Sequence, residues 1–143
     1  MKPSLKAPWT HIGNTRLLKI EDRLFAKMET ENPTGSIKDR TIQYIFKDAL
    51  VNGELGLETT VVEASSGNTG ISVSAICASL GISVKIVMPS NMSKERRQMM
   101  ELFGAEIIDA PPSDFKAAIQ IRNDMVRDNK DFWSPMQFEN LLN

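Results

Sequence analysis

The amino-acid sequence predicts an α/β domain of the doubly wound kind, a parallel sheet covered by helices on both faces. Three observations carry that expectation. From residue 60 onward, short β-branched runs alternate with stretches of helical periodicity. The segments between them are short clusters of turn formers, which leaves right-handed crossovers as the way back to the same sheet. The helical stretches are long enough to act as crossovers, which places helices on both faces of the sheet.

In chain order, Leu17 to Ile20 and Leu24 to Met28 are two short strand-like runs around the charged turn Glu21-Asp22-Arg23. Asn32-Pro33-Thr34-Gly35-Ser36 is a cluster of turn formers. Ile42, Ile45, Phe46, Ala49 and Leu50 then fall on one face of a helix that Asn52-Gly53 closes. Thr60 to Ala64 is a β-branched strand, followed by the polar loop Ser65-Ser66-Gly67-Asn68-Thr69-Gly70. Ile71 to Leu80 is apolar or small on nearly every side, which predicts a buried helix. Ser83 to Met88 is a strand stopped by Pro89. Ser93 is placed to cap the next helix, with Met99, Leu102 and Phe103 inward, Met100 on its surface and Gly104 at its end. Glu106 to Asp109 forms a short strand, and a last helix turns Phe115, Ala118, Ile119, Met125 and Val126 inward.

Composition narrows the function classes. The 143 residues suit one domain, with 41% apolar and 24% charged residues, as in soluble globular proteins. A net charge of −1 gives no pull toward nucleic acid or an acidic membrane. The longest apolar stretches are strand-length, too short for a bilayer span, and Met1 to Trp9 lack the apolar core of a signal peptide. Cys77 is the single cysteine, so neither an internal disulfide nor a thiol-rich metal site is expected; among small apolar residues it reads as inert core. His11 has no partner cluster, and Arg96 and Arg97 read as a solvated helix face. Trp9 and Trp133 flank the two ends and are expected to pack against a partner half or subunit. These readings predict a cytoplasmic, metal-free protein with no nucleic-acid or membrane partner.

In open α/β sheets, ligands sit at the carboxyl ends of the strands, which selects the loops after Met28, Val62 and Met88. At the second, a helix N-terminus offers unpaired N–H groups and partial positive charge to a carboxylate or phosphate. Ser65, Ser66 and Thr69 add hydroxyls there, Gly67 allows close backbone approach and Asn68 adds an amide. The same residues would equally serve a capped helix start. In the earlier loop, Lys38 falls in the first turn of a helix, where positive potential disfavours its protonated form and favours attack on a carbonyl. A solvated lysine beside Asp39 and Arg40 is the alternative, and the residues alone leave both readings open.

Taken together, these segments resemble the signatures of fold-type II pyridoxal-phosphate (PLP) enzymes of the cysteine synthase and cystathionine β-synthase family. Asn32-Pro33-Thr34-Gly35-Ser36-Ile37-Lys38-Asp39-Arg40 is similar to the family's cofactor-lysine motif, and Ser65 to Gly70 to its substrate-carboxylate loop. Ile12-Gly13-Asn14-Thr15, Met88-Pro89, Asn91-Met92-Ser93 with Glu95-Arg96-Arg97, Phe103-Gly104-Ala105-Glu106 and Gln137-Phe138-Glu139-Asn140 match further motifs in the same order. The resemblance covers essentially the whole chain. It implies pyridoxal 5'-phosphate on Lys38, with Asn68 bonded to the cofactor's ring oxygen. It also implies that Ser65, Ser66, Gly67, Thr69 and Gln137 grip the carboxylate of an amino-acid substrate. The implied reaction is β-replacement, in which an activated serine loses its leaving group and sulfide adds to give cysteine. O-acetylserine is expected over phosphoserine, because no further basic residue stands beside the carboxylate loop.

The implied architecture divides the chain into residues 1–38, N-terminal strands and lysine loop of an incomplete large domain, and residues 39–143, an α/β small domain with the substrate loop. Full-length relatives are longer and are expected to be homodimers. Their later half supplies the phosphate-cradling glycine loop and the partner of the pyridine nitrogen, so this polypeptide alone is expected to bind PLP weakly and to show little synthase activity. Surfaces meant for that half should then be apolar and exposed. The family usually has threonine where Ser65 stands, and proline where Arg16 and Leu141 stand. Two other readings compete: a truncated, non-catalytic partner of a full-length subunit, or cystathionine β-synthase-type chemistry. A plain nucleotide-binding module is disfavoured, since neither Gly-x-Gly-x-x-Gly nor Gly-x-x-x-x-Gly-Lys-Ser/Thr occurs.

Overall fold

The computed structural model describes residues 11–143. A two-stranded antiparallel hairpin, β1 (Leu17–Glu21) and β2 (Leu24–Lys27), comes first, followed by a single 3₁₀ turn at Glu29–Glu31. Helix α1 (Lys38–Asn52) leads into strand β3 (Thr60–Ala64), and α2 (Asn68–Leu80) into β4 (Ser83–Pro89). Then come α3 (Lys94–Leu102), β5 (Glu106–Ala110), α4 (Phe115–Asp128) and the two-residue strand β6 (Phe132–Trp133). The four later strands form one parallel sheet in the order β5-β4-β3-β6.

Helices cover both faces of the sheet, and the residues of β3 and β4 divide between the two cores that result. Val61, Ile86 and Met88 belong to a core shared with Ile42, Ile45 and Phe46 of α1 and Val73, Ile76 and Cys77 of α2. Val62, Ala64 and Val87 belong to a second core with Ala118, and Phe115, Ile119 and Val126 pack onto it. The fold class expected from sequence is therefore the one observed. Gly53, Gly81 and Gly104 adopt positive φ at the ends of α1, α2 and α3, the left-handed conformation that closes a helix without a Cβ clash. Ser93 caps α3 by accepting from the Arg96 N–H, and Asp114 caps α4 by accepting from the Ala117 N–H.

Several expectations need correction. Helix α2 starts at Asn68, three residues before the apolar run that announced it. Of the two methionines in α3, Met100 is fully buried whereas Met99 and Leu102 are exposed, so the helix is rotated from the expected face. The reason lies in α2, where the absent side chain of Gly70 leaves the space that Met100 fills. A Cβ built on Gly70 would lie 2.6 Å from the Met100 Cε. Trp133 packs within this chain, edge-on to Phe46 with ring centroids 5.4 Å apart, while Trp9 lies outside the described residues. Among the described residues, no helix is long and apolar enough to cross a membrane and no cluster of His, Cys, Asp or Glu could hold a metal. Leu17, Ile20, Leu24 and Phe25 of the hairpin are exposed, as are Phe138 and Leu141 near the other end.

Candidate active site

The loop between β3 and α2 leaves the sheet at the carboxyl end of a strand whose last four residues are buried. Ser65 is itself buried, and its Oγ accepts from the backbone N–H of Gly70 at 2.9 Å and of Gly67 at 3.3 Å, folding the loop back over the helix start. Gly67 takes an extended backbone, and a Cβ there would meet nothing within 4 Å, so the loop is open on that side. Asn68 is exposed and its side-chain amide has no hydrogen-bond partner among the described residues. Thr69 is buried and its hydroxyl donates to Oε1 of the buried Gln137 at 2.6 Å. Residues 68 positions apart thus meet at the N-terminus of α2, where the first turn's N–H groups concentrate positive potential.

The lysine loop is held with equal care. Asn32 is buried: its Oδ1 accepts from the Gly13 N–H at 2.9 Å, and its Nδ2 donates to the Ser36 carbonyl at 3.0 Å. Asp39, one residue after Lys38 and buried in the first turn of α1, accepts from the Thr34 N–H at 2.8 Å and from the Thr34 hydroxyl. It also accepts from Ser72 Oγ of α2 at 2.5 Å, which joins the lysine loop to the carboxylate-loop helix. Lys38 stands at the head of α1, partly exposed, with one long contact of 3.4 Å from Nζ to Asn143 Oδ1.

Two clusters were not foreseen as site-builders. Glu29 accepts from Arg40 Nε at 2.7 Å and Nη2 at 2.9 Å, from the Thr15 hydroxyl at 2.9 Å and from Asn32 Nδ2 at 2.7 Å. It fastens the opening Gly13-Asn14-Thr15 motif to the lysine loop, and the Arg40 guanidinium and these donors hold its carboxyl at about 2, well below 4.5. The second cluster is Glu63, Arg122 and Ser134. Glu63 and Arg122 are all but fully buried, with Arg122 Nη1 donating to Ser134 Oγ at 2.9 Å and lying 3.9 Å from Glu63 Oε1. Burial pushes the Glu63 carboxyl up, opposed by Arg122, by the backbone N–H groups of Ala64 and Gln137 and by Ser134. Periodicity gave no hint of either buried charge, because each is tolerated only through its tertiary partner. One expectation is corrected here: the Arg96 guanidinium donates to the Ser66 carbonyl at 3.4 Å, so a basic residue does stand beside the loop at residues 65–70.

An amine at one helix start and a loop of hydroxyl and amide groups at the next thus stand on two helices that the Ser72–Asp39 hydrogen bond joins. Residues 8–143 match the family described as pyridoxal-phosphate dependent enzyme, and the chain belongs to it. It is 43% identical over 136 residues to cysteine synthase B of Campylobacter jejuni, covering 92% of this chain and 46% of that one. The crystal structure of a cysteine synthase from Entamoeba histolytica superimposes with a TM-score of 0.87 at 33% identity, over 94% of this chain and 44% of that one. An O-acetylserine-dependent cystathionine β-synthase from Helicobacter pylori does so with a TM-score of 0.84 at 31% identity, over 92% and 46%. The architecture is that of fold-type II PLP enzymes, and the chain spans about half the length of the curated relatives it matches.

The residues present suit the family's cofactor at the points they can reach. Lys38 offers a primary amine for the aldehyde, and Asn68 an uncommitted amide for the ring oxygen. At Gly67 a Cβ would meet nothing within 4 Å, so the backbone there is open to the approach of a ligand.

Proposed function

We propose that this chain carries the cofactor lysine and the substrate-carboxylate loop of a β-replacement enzyme that makes cysteine from O-acetylserine and sulfide. The buried Thr69–Gln137 hydrogen bond is the observation that supports this reading most directly, since it brings together the two segments that the family resemblance assigns to the substrate carboxylate. In that reading the N–H groups at the start of α2, with Ser65, Ser66, Gly67 and Thr69, hold the amino-acid carboxylate. Gln137 closes over it from the other side. Lys38 Nζ would hold the cofactor through its aldehyde and would serve as the base for the proton on the substrate's Cα. Asn68 would hold the cofactor ring through a hydrogen bond from its amide to the ring oxygen. PLP, when bound, supplies an electron sink for bond breaking at Cα and Cβ.

The choice of O-acetylserine draws on the Helicobacter neighbour, described as O-acetylserine-dependent, rather than on an absence of basic residues, since Arg96 reaches Ser66. That neighbour also favours a second reading in which a thiol such as homocysteine replaces sulfide as acceptor. The same proposal assigns residues 1–38 to an incomplete large domain and 39–143 to a small domain, in a homodimeric cytoplasmic enzyme.

The test is an absorbance titration of the purified chain with PLP, followed by borohydride reduction and mass spectrometry. A cofactor adduct on the parent at Lys38, absent from Lys38→Ala, is the expected result, with little synthase turnover from this chain alone. A folded parent that gains no adduct would overturn the assignment of cofactor binding to this chain.

A further inference from the structure

We propose that Glu63 is a positioning residue for the carboxylate subsite, acting through Ser134 and the Gln137 backbone to set the Gln137 side chain against Thr69. This deepens the reading of Thr69 and Gln137 as a carboxylate grip and rests on it. Glu63 is the fourth residue of β3, two positions before Ser65 of the carboxylate loop, and every residue from Val61 to Ala64 is buried. An apolar side chain would satisfy that burial at far lower cost than a carboxylate. The carboxylate is instead matched on all sides. Oε1 accepts from the Ala64 N–H at 2.9 Å, Oε2 accepts from Ser134 Oγ at 3.3 Å, and the Gln137 N–H acts on the same group.

Ser134 is the hub of the arrangement. Its Oγ accepts from Arg122 Nη1 at 2.9 Å and from the Met136 N–H at 3.2 Å while donating to Glu63. Arg122 Nη2 lies 3.7 Å from Glu139 Oε1, on the far side of Gln137 in the chain. The segment 134–139 is therefore fastened at three points to one buried charge pair. Gln137, in the middle of it, is the residue that reaches Thr69. No regular element holds this segment, since β6 ends at Trp133. Without Glu63 the segment would keep its β6 anchor and lose its register over the loop.

The experiment uses the ¹⁵N-labelled 143-residue chain as parent, Ser134→Ala and Glu63→Gln. Hydrogen exchange and the side-chain amide resonances of Gln137 are read beside the amide of Ile86, which sits at the centre of β4. In both variants the Gln137 amide should exchange at least about tenfold faster, the loss expected when a hydrogen bond to a buried charge is removed. The Gln137 side-chain resonances should move and Ile86 should stay as it is. Gln137 resonances and exchange unchanged in folded Ser134→Ala would overturn the proposal, and that variant decides if Glu63→Gln does not fold. Equal acceleration at Gln137 and Ile86 would overturn it too, because it would mark general destabilisation. Acetate serves as the carboxylate probe: it should shift the amides of residues 65–69 in the parent and bind more weakly in both variants. Absence of any acetate shift in the parent would sink the carboxylate grip itself, a failure separate from that of the positioning role.

Discussion

Removing the Asp39 carboxylate should cost the chain far more stability than a first-turn helix residue normally contributes. The group is buried and receives three hydrogen bonds, two from Thr34 and one from Ser72. Asp39→Ala leaves the Thr34 N–H without its partner, while the Thr34 and Ser72 hydroxyls, 3.2 Å apart, can turn to each other. Counting one unsatisfied donor, the lost charge-assisted bonds and the helix dipole gives a loss of about 3 kcal/mol. Asp39→Asn keeps one acceptor for the Thr34 N–H and can donate to the hydroxyls, so its loss should be about 1–2 kcal/mol. Urea unfolding followed by circular dichroism reads both. With a slope of about 2 kcal/mol per molar, the Asp39→Ala midpoint should fall by about 1–2 M and that of Asp39→Asn by about half as much. Equal midpoints for the two variants, or an alanine variant within about 0.3 M of the parent, would refute the account of Asp39 as a charge-assisted tie between the lysine loop and α2. A cycle with Ser72→Ala should show coupling of about 1 kcal/mol.

Acidification should expose the Glu29 cluster. A carboxyl held at about 2 in the folded chain against an ordinary 4.5 contributes stability that is complete above 4.5 and is lost as pH falls through about 2. Thermal unfolding of Glu29→Gln should depend less steeply on pH across that window than the parent, and an unchanged slope would count against it. Gly70→Val should destabilise by about 1–3 kcal/mol through collision with Met100. Adding Met100→Ala to it should cost less than the two single changes summed, measurable in the same urea series. Phe46→Ala, which empties a fully buried site beside Trp133, should cost about 3–5 kcal/mol and change the tryptophan fluorescence. Cys77 is buried and its thiol is pushed up by desolvation, so a thiol-specific disulfide reagent should label it only as the chain unfolds.

The sheet was legible because short β-branched runs such as β3 and β4 alternate with helical stretches long enough to cross back to the same sheet. The two donor loops were legible as strand-to-helix and turn-to-helix junctions rich in serine, threonine and glycine. What escaped was whatever two distant segments decide together. The inward turn of Met100 depends on a missing side chain in α2, which no periodicity within α3 can report. Glu63 and Arg122 look like surface residues until each is seen against the other. Strand β6, only two residues long, has too little pattern to announce itself, yet Phe132 and Trp133 pair with Thr60 and Val61 and so deliver Gln137 to Thr69. The role of Glu29 was hidden for the same reason: its four donors come from three separate stretches of chain.

The edge position of β6 bears on the order in which the molecule is built. Emerging from the ribosome at about 5–20 residues per second, the chain frees β3, β4 and β5 before Phe132 leaves the exit tunnel. The last strand then adds to the free side of β3, and only afterwards can Gln137 swing onto Thr69. Closing a contact across 68 residues carries a larger entropic toll than any strand pairing between neighbours. A nascent molecule therefore passes through a stage in which the first three strands of the parallel sheet are paired and the Thr69–Gln137 hydrogen bond has yet to close.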